Sequence, residues 1–289
     1  MLYVVVLFMV LLLFFLMVAA VDTNRFKISR YTLESRKIVS PYSFVVLADL
    51  HNKQYGAHNW KLLQAIDRLH PEGIFLAGDM LTSIKGRDFT PALELIHRLA
   101  EKYPIFYGAG NHETRLFLYP EVYGKMGEEY ERSLLEKQVR ILHNEGCGLP
   151  EYNIHVTGLE LTREYYRRMQ KVRMASSYLE ETLGKPDKEV FQILLAHNPE
   201  YFKEYAKWGA DLVLSGHLHG GIMRLPLLGG VISPSLKLFP GYDSGMYHQG
   251  DSAMVLSRGL GVHTIPLRIF NPGELILIEL LPAKKKDGI

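Results

Sequence analysis

The stretch Ser43-Phe44-Val45-Val46-Leu47-Ala48-Asp49-Leu50-His51 decides how this chain folds. It opens as a short, apolar, β-favouring run of the kind that fills a strand buried on both faces. It ends on Asp49 and His51, two metal-ligand side chains spaced two apart, which extended backbone points to the same side. A strand that delivers polar groups at its carboxyl end is the working unit of an open α/β sheet.

Outward from this stretch the same unit recurs. Ile74 to Ala77 reads as a strand that ends on Gly78-Asp79, and Ile105-Phe106-Tyr107 as another ahead of Gly110-Asn111-His112-Glu113. Val190 to Ala196 leads into His197-Asn198, and Leu212 to Leu214 leads into Gly216-His217-Leu218-His219. Helices are expected over Asn59 to Leu69, over Pro91 to Ala100 with Thr90 as N-cap, and near Glu200 to Lys207. Long charged helices are expected over Glu121 to Leu142 and Thr162 to Leu183. The second of these carries Tyr165, Met169, Val172, Leu179 and Leu183 along one packing face. Further strands fit Tyr152 to Leu161, Ala253 to Leu256 and Glu274 to Leu280. The alternation implies one α/β domain over residues 43–281, with helices on the outer faces of its sheets.

Each polar motif is weak alone. Asp-x-His and Gly-Asp occur widely, and Gly-Asn-His-Glu by itself fits a turn or helix cap. Their joint occurrence at five strand ends is what carries chemistry, because it supplies enough ligands for two adjacent divalent ions. Asp79 can bridge both ions with its two oxygens, and Asn111 adds a neutral oxygen. Imidazole donors suit Mn, Fe, Zn or Ni better than Mg or Ca. Glu113 reads equally well as a partner that orients a histidine or as an acid at a helix N-terminus.

With these motifs in order, residues from about Ser43 to Leu280 resemble the calcineurin-like metallophosphoesterases, whose pattern runs Asp-x-His, Gly-Asp, Gly-Asn-His-Glu/Asp, His, Gly-His-x-His. The resemblance implies two packed mixed β-sheets flanked by helices in a four-layer sandwich. It also implies metal-dependent hydrolysis of a phosphate ester. One ion would be held by Asp49, His51, Asp79 and His219, and the other by Asp79, Asn111, His197 and His217. His112 would contact the substrate phosphate and assist the leaving group. Asp49-Leu50-His51-Asn52, Gly216 to Gly221, Ser257 to Gly261 and Pro266-Leu267-Arg268 look more narrowly like a membrane-associated bacterial branch. That branch includes phosphodiesterases and enzymes similar to UDP-2,3-diacylglucosamine hydrolases. Ala48 and Leu218 depart from the Ser and Thr usual there, at positions that supply no metal ligand. Arg258 and Arg268 are candidate phosphate clamps, with structural ion pairing as the alternative. His263 is a weaker candidate, and His58, His70, His97, His143, His155 and His248 lie outside the motifs.

The amino terminus adds a location. Leu2 to Val21 is an unbroken apolar run which, as a helix rising ~1.5 Å per residue, spans ~30 Å, a bilayer core. No Lys or Arg precedes it, which favours an uncleaved anchor over a signal peptide, although Val18-Ala19-Ala20 fits a cleavage site. Arg25, Lys27, Arg30, Arg36 and Lys37 follow the run, so the positive-inside tendency favours a single-pass membrane protein with a cytoplasmic catalytic domain. Residues 22–42 read as a polar connector with some strand character, and residues 282–289 as a basic tail. Lys284, Lys285 and Lys286 in that tail are either solvated or near anionic lipid.

A formal charge of +2 over 289 residues argues against nucleic acid as a partner. The lone Cys147, in an expected loop, rules out an intrachain disulfide. Three functions follow from the residues. One is a phosphoesterase acting at the membrane on a lipid-linked or nucleotide phosphate. The others are a tethered phosphodiesterase or phosphatase for soluble substrates and a non-enzymatic metal-binding scaffold. The Gly- and Pro-rich stretch Gly220 to Gly250 is expected to shape the substrate pocket.

Overall fold

The computed structural model describes residues 1–167, 172–221, 223–225, 229–232, 240–262 and 267–284. Among them the strands are β1 (Phe26–Ser35), β2 (Tyr42–Leu47), β3 (Gly73–Ala77), β4 (Ile105–Gly108), β5 (Arg140–Ile141), β6 (Gly146–Leu149) and β7 (Ile154–Leu159). The chain continues with β8 (Phe191–Ala196), β9 (Leu212–Ser215), β10 (Met223–Leu225), β11 (Gly229–Ile232), β12 (Gly245–Gln249), β13 (Ser252–Leu256) and β14 (Gly273–Pro282). The α-helices are α1 (Leu2–Thr23), α2 (Trp60–Leu69), α3 (Thr90–Ala100), α4 (Asn111–Leu118), α5 (Pro120–Tyr123), α6 (Met126–Leu135), α7 (Tyr178–Leu183) and α8 (Phe202–Trp208).

Two six-stranded sheets form the frame, in orders β1-β14-β2-β3-β4-β5 and β12-β13-β9-β8-β7-β6. Both are mixed: β2, β3, β4 and β5 run parallel while β14 opposes β2, and β7, β8, β9 and β13 run parallel while β6 and β12 oppose their neighbours. Alternation along each strand explains the layering. In β2, Phe44 and Val46 enter the core between the sheets, with Phe75, Phe106, Ile193 and Val255, while Val45 and Leu47 face the layer that holds α2, α3 and α6. On the other side Leu194, Val213 and Met254 pack against Phe202 and Tyr205 of α8. The result is helix, sheet, sheet, helix, as the family resemblance implies.

Five local expectations are corrected or sharpened. The 22–42 connector contains the ten-residue β1, paired in parallel with β14 along its whole length. The helix expected over 121–142 is broken at Gly124, whose φ of 59° no helix tolerates, and ends by Leu135. The helix expected over 162–183 is a single 3₁₀ turn at Arg163–Tyr166 followed, beyond residues 168–171, by the six-residue α7. Met169 lies outside the described residues, but Tyr165 and Leu179 are buried in the outer core as a packing face requires. Cys147 sits in β6 rather than in a loop, half-buried, and burial raises its thiol pKa. At the start of α3, Thr90 is the first helical residue and Phe89 takes the cap position.

α1 is long and apolar enough to cross a membrane. Its side chains from Leu2 to Met17 are exposed, whereas Ala19 and Asp22 are covered by the domain.

Candidate metal centre

The five motifs leave β2, β3, β4, β8 and β9 at their carboxyl ends, so both sheets contribute to one crevice. Backbone hydrogen bonds tie the loops to each other. Asp49 N donates to Gly78 O at 2.9 Å, His51 N to Asp79 O at 3.1 Å, and Gly216 N to His197 O at 3.1 Å. Asp49, His51, Asp79, His217 and His219 all hold positive φ, between 49° and 73°. Left-handed backbone costs about 1–3 kcal/mol per non-glycine residue and clusters where a site over-determines it. Gly110 is required for a different reason: a Cβ there would collide with the Asp79 carboxylate.

The structure gathers the ligand atoms into two triads, Asp49-His51-His219 and Asp79-His197-His217, and a third group, His51-Asp79-His112, that shares one residue with each; in every group the atoms lie within 4.8 Å of one another. Asp79 Oδ2 lies 3.0 Å from His197 Nε2 and 3.9 Å from His51 Nε2, so it reaches both triads. His51 Nε2 and His219 Nε2 approach to 3.3 Å, and His219 Nε2 lies 3.4 Å from Asp49 Oδ1. Such separations match neighbouring ligands of one ion bonded at roughly 2.0–2.1 Å. Asn111 Oδ1 is buried without a hydrogen-bond partner among the described residues.

Tautomers follow from the outer nitrogens. His197 Nδ1 meets Ala77 O at 2.7 Å and His219 Nδ1 meets Gly261 O at 3.4 Å. A carbonyl only accepts, so both Nδ1 atoms carry a proton, and each ring in its neutral form turns the Nε2 lone pair to the site. His112 is reversed. Its Nδ1 accepts from Ser83 N at 3.0 Å, which leaves a proton on Nε2 and makes that nitrogen a donor.

Electrostatics demand positive charge here. Asp49, Asp79 and Glu113 are all buried. Desolvation and the Asp79 charge push Asp49 up to about 7, against the pull of His197. Desolvation acts on Asp79 too, but His197, His112 and His51 outweigh it and hold that carboxyl well below its usual range. Burial would lower His197, yet Asp79 and Asp49 lift it to about 10, so the two carboxylates hold there a proton that a bound ion would replace. His219 is driven well below its usual value by desolvation and by His51 and Arg268, as a neutral ligand should be. Paired buried carboxylates, neutral imidazoles and an orphaned amide oxygen fit divalent cations.

Sequence reasoning missed several supporting groups. Thr82 Oγ1 sits 3.2 Å from His51 Nδ1, and Ser83 Oγ sits 2.8 Å from His112 Nδ1. The Tyr166 ring stands edge-on to His217 at 5.1 Å and 6.5 Å from His197. Single hydroxyl residues carry no local signal, and Tyr166 falls where a helix was expected. Glu113 takes the helix-terminal role expected of it, accepting from Gly110 N at the start of α4, and it also accepts from the backbone of the Asp79 loop rather than from a histidine.

The two arginines lie differently from a phosphate clamp. Arg268 is 2% exposed and donates to the carbonyls of Arg258, Gly259, Gly261, Asn271 and His219. Arg258 stands 3.8 Å from the Glu274 carboxylate, which also accepts from its backbone N–H. Arg268 thus serves loop structure, and Arg258 takes the ion pair that was the alternative to a clamp. His58, His97 and His143 pair with Glu94, with the Ser133 carbonyl, and with Glu131 and Glu160, away from the triads. His263, Lys285 and Lys286 lie outside the described residues, as does part of the Gly220 to Gly250 stretch.

Known proteins agree with this geometry. Residues 42–221 match the family model for the calcineurin-like phosphoesterases. The chain is 36% identical over 101 residues to the uncharacterized metallophosphoesterase YkuE of Bacillus subtilis, covering 35% of each chain. It is 27% identical to an uncharacterized metallophosphoesterase of Helicobacter pylori, over 90% of this chain and 65% of that one. The phosphodiesterase YaeI of Escherichia coli is 25% identical over 84% of this chain and 83% of its own. The match thus spans from about a third to two thirds of the first two relatives. With the family model covering more than half its length, the chain belongs to the calcineurin-like phosphoesterases.

Proposed function

We propose that this chain is a metal-dependent hydrolase that uses a dinuclear centre at a membrane surface to cleave a phosphate ester, a monoester or diester, borne on a lipid or a nucleotide. The observation that carries the reading is the pair of triads joined through Asp79, with His112 beside them. Asp49, His51, Asp79 and His219 would hold one divalent ion, and Asp79, Asn111, His197 and His217 a second. Mn, Fe, Zn or Ni suit these donors. Such ions, when bound, polarise a phosphoryl oxygen and lower the pKa of an attacking water.

The chain's own groups do the rest. The Nε2–H of His112 donates to a phosphoryl or departing oxygen and stabilises the charge that develops there. Ser83 fixes that tautomer, and the Ala77 and Gly261 carbonyls fix those of His197 and His219. Buried Leu50 and Leu218 flank the ligands and limit water around them. α1 tethers the domain as a single span, and the basic residues that follow it favour a cytoplasmic domain. The test compares detergent-dispersed lipid phosphates with soluble nucleotides as substrates of the purified full chain. A clear preference for the lipid form is expected; equal or greater turnover of soluble nucleotides assigns the tether to location alone.

A further inference from the structure

β1 and β14 begin at the same edge of the first sheet, with Phe26 opposite Gly273. β14 opposes β2, so that edge is also where β2 ends and Asp49 begins. α1 runs straight into β1, and the membrane-spanning helix therefore leaves the fold beside the metal centre.

Its last turn is fastened to the segment Leu267–Asn271. Asp22, 1% exposed, accepts from Asn271 N at 3.1 Å, and Thr23 Oγ1 accepts from Arg268 N at 3.2 Å. Further up the helix, Phe14 and Phe15 meet the ring of Phe270 at 6.4 and 6.3 Å. Phe270 holds φ 53°, a left-handed conformation unusual for an aromatic residue, and keeps its ring 38% exposed. Leu267 is 40% exposed.

On the face of α1 that meets the domain, Ala19 and Asp22 are covered by protein, so there lipid begins near Val18, while Val21, 51% exposed, lies on the open face. Phe15 lies about one turn, ~5 Å, beyond that level, and the ring of Phe270 lies with it. This is the depth, roughly 5–10 Å, at which interfacial apolar groups settle between headgroups and acyl chains. At the end of the helix Arg25 is paired with Asp22 at 2.7 Å, and Lys53, held by Asn24 at 2.7 Å, keeps a positive charge near the level of the headgroups.

We propose that Leu267 and Phe270 form a second membrane contact, seated in the lipid interface beside α1, which turns the metal-bearing edge of the fold toward the bilayer. The same segment reaches the centre directly. Asn271 Nδ2 donates to His219 O at 2.8 Å, and Arg268 donates to Gly261 O, the partner of His219 Nδ1. The seat therefore holds one ligand strand at a fixed height above the lipid. This inference rests on the proposed span of α1 and stands apart from the choice of substrate.

The test uses the full chain reconstituted in phosphatidylcholine–phosphatidylglycerol vesicles, with the only cysteine removed as Cys147→Ser. Nitroxide labels are placed singly at Phe270→Cys and Leu267→Cys. Lys102→Cys, beyond α3 at the opposite edge of the sheet, is the aqueous reference. Collision rates with oxygen and with a water-soluble nickel chelate are then compared. The ratio of oxygen to chelate collisions should be several-fold higher at 270 and 267 than at 102. A label at either position that meets the chelate as freely as the one at 102 overturns the proposal. Leu267 gives an independent reading if the change at Phe270 perturbs its strained backbone.

Discussion

The carboxylate of Glu113 accepts the backbone N–H of Asp79 at 2.9 Å, so the residue that joins the two triads is held from behind by a second buried acid. The same carboxylate takes Met80 N at 2.8 Å, Gly110 N at 2.9 Å and the Tyr107 hydroxyl at 2.8 Å. One side chain thus locks the β3 and β4 loops together. Glu113→Gln replaces an acceptor oxygen with an NH2 that faces backbone donors. Metal affinity or turnover should fall by roughly 10–100-fold, the usual loss when a group that orients a ligand is removed. Isothermal titration with Mn and steady-state turnover measure it, and unchanged values would show that the Asp79 loop holds its own shape.

His112→Ala should reduce turnover by about 100-fold or more, the scale for losing a donor to a developing oxyanion. Metal content by mass spectrometry should stay near the wild-type level. Loss of metal with the activity would make His112 a ligand. Ser83→Ala removes only the hydroxyl at 2.8 Å and should act more weakly, because Ser83 N still fixes the tautomer.

Asp79→Asn should abolish turnover and release metal from both positions, since its Oδ2 reaches both triads while Oδ1 accepts from His112 N. Elemental analysis of the purified variant decides the matter. Retention of a full metal complement at near-normal turnover refutes the shared role.

His143 offers a pH test away from the centre. Its bond to Glu160, reinforced by Glu131, outweighs burial and raises its pKa to about 9. A raised histidine stabilises the fold fully below its unfolded value near 6.5 and loses that contribution as pH climbs through about 9. Its side chain is 41% exposed, so solvent screening keeps the effect small. The Tm gap between wild type and His143→Gln should be largest near pH 6 and close by pH 10. A gap that is constant across this range contradicts the pairing.

Much of the site could be read from the chain because each ligand directly follows a strand whose apolar run is local. Val45 to Leu47 and Leu212 to Leu214 announce burial within a few residues, and Asp49 and His217 come immediately after. The failures are where partners lie far away. β1 alternates exposed and half-buried residues like a polar linker, and becomes a strand only through β14, some 245 residues on. The stretch after Thr162 has helix-favouring composition, but Asn198 binds the Tyr165 carbonyl at 2.8 Å and Tyr165 is drawn into the outer core. Tertiary anchoring overrides propensity there. Arg268 looked like a phosphate ligand because its five acceptors are backbone atoms of other loops, which no sequence pattern displays.

Hydrolysis of bis-p-nitrophenyl phosphate by the full chain, followed as chelated protein is titrated with Mn, tests the central claim most directly. The account predicts no turnover after chelation and recovery that saturates near two ions per chain. Turnover that survives complete chelation would contradict it.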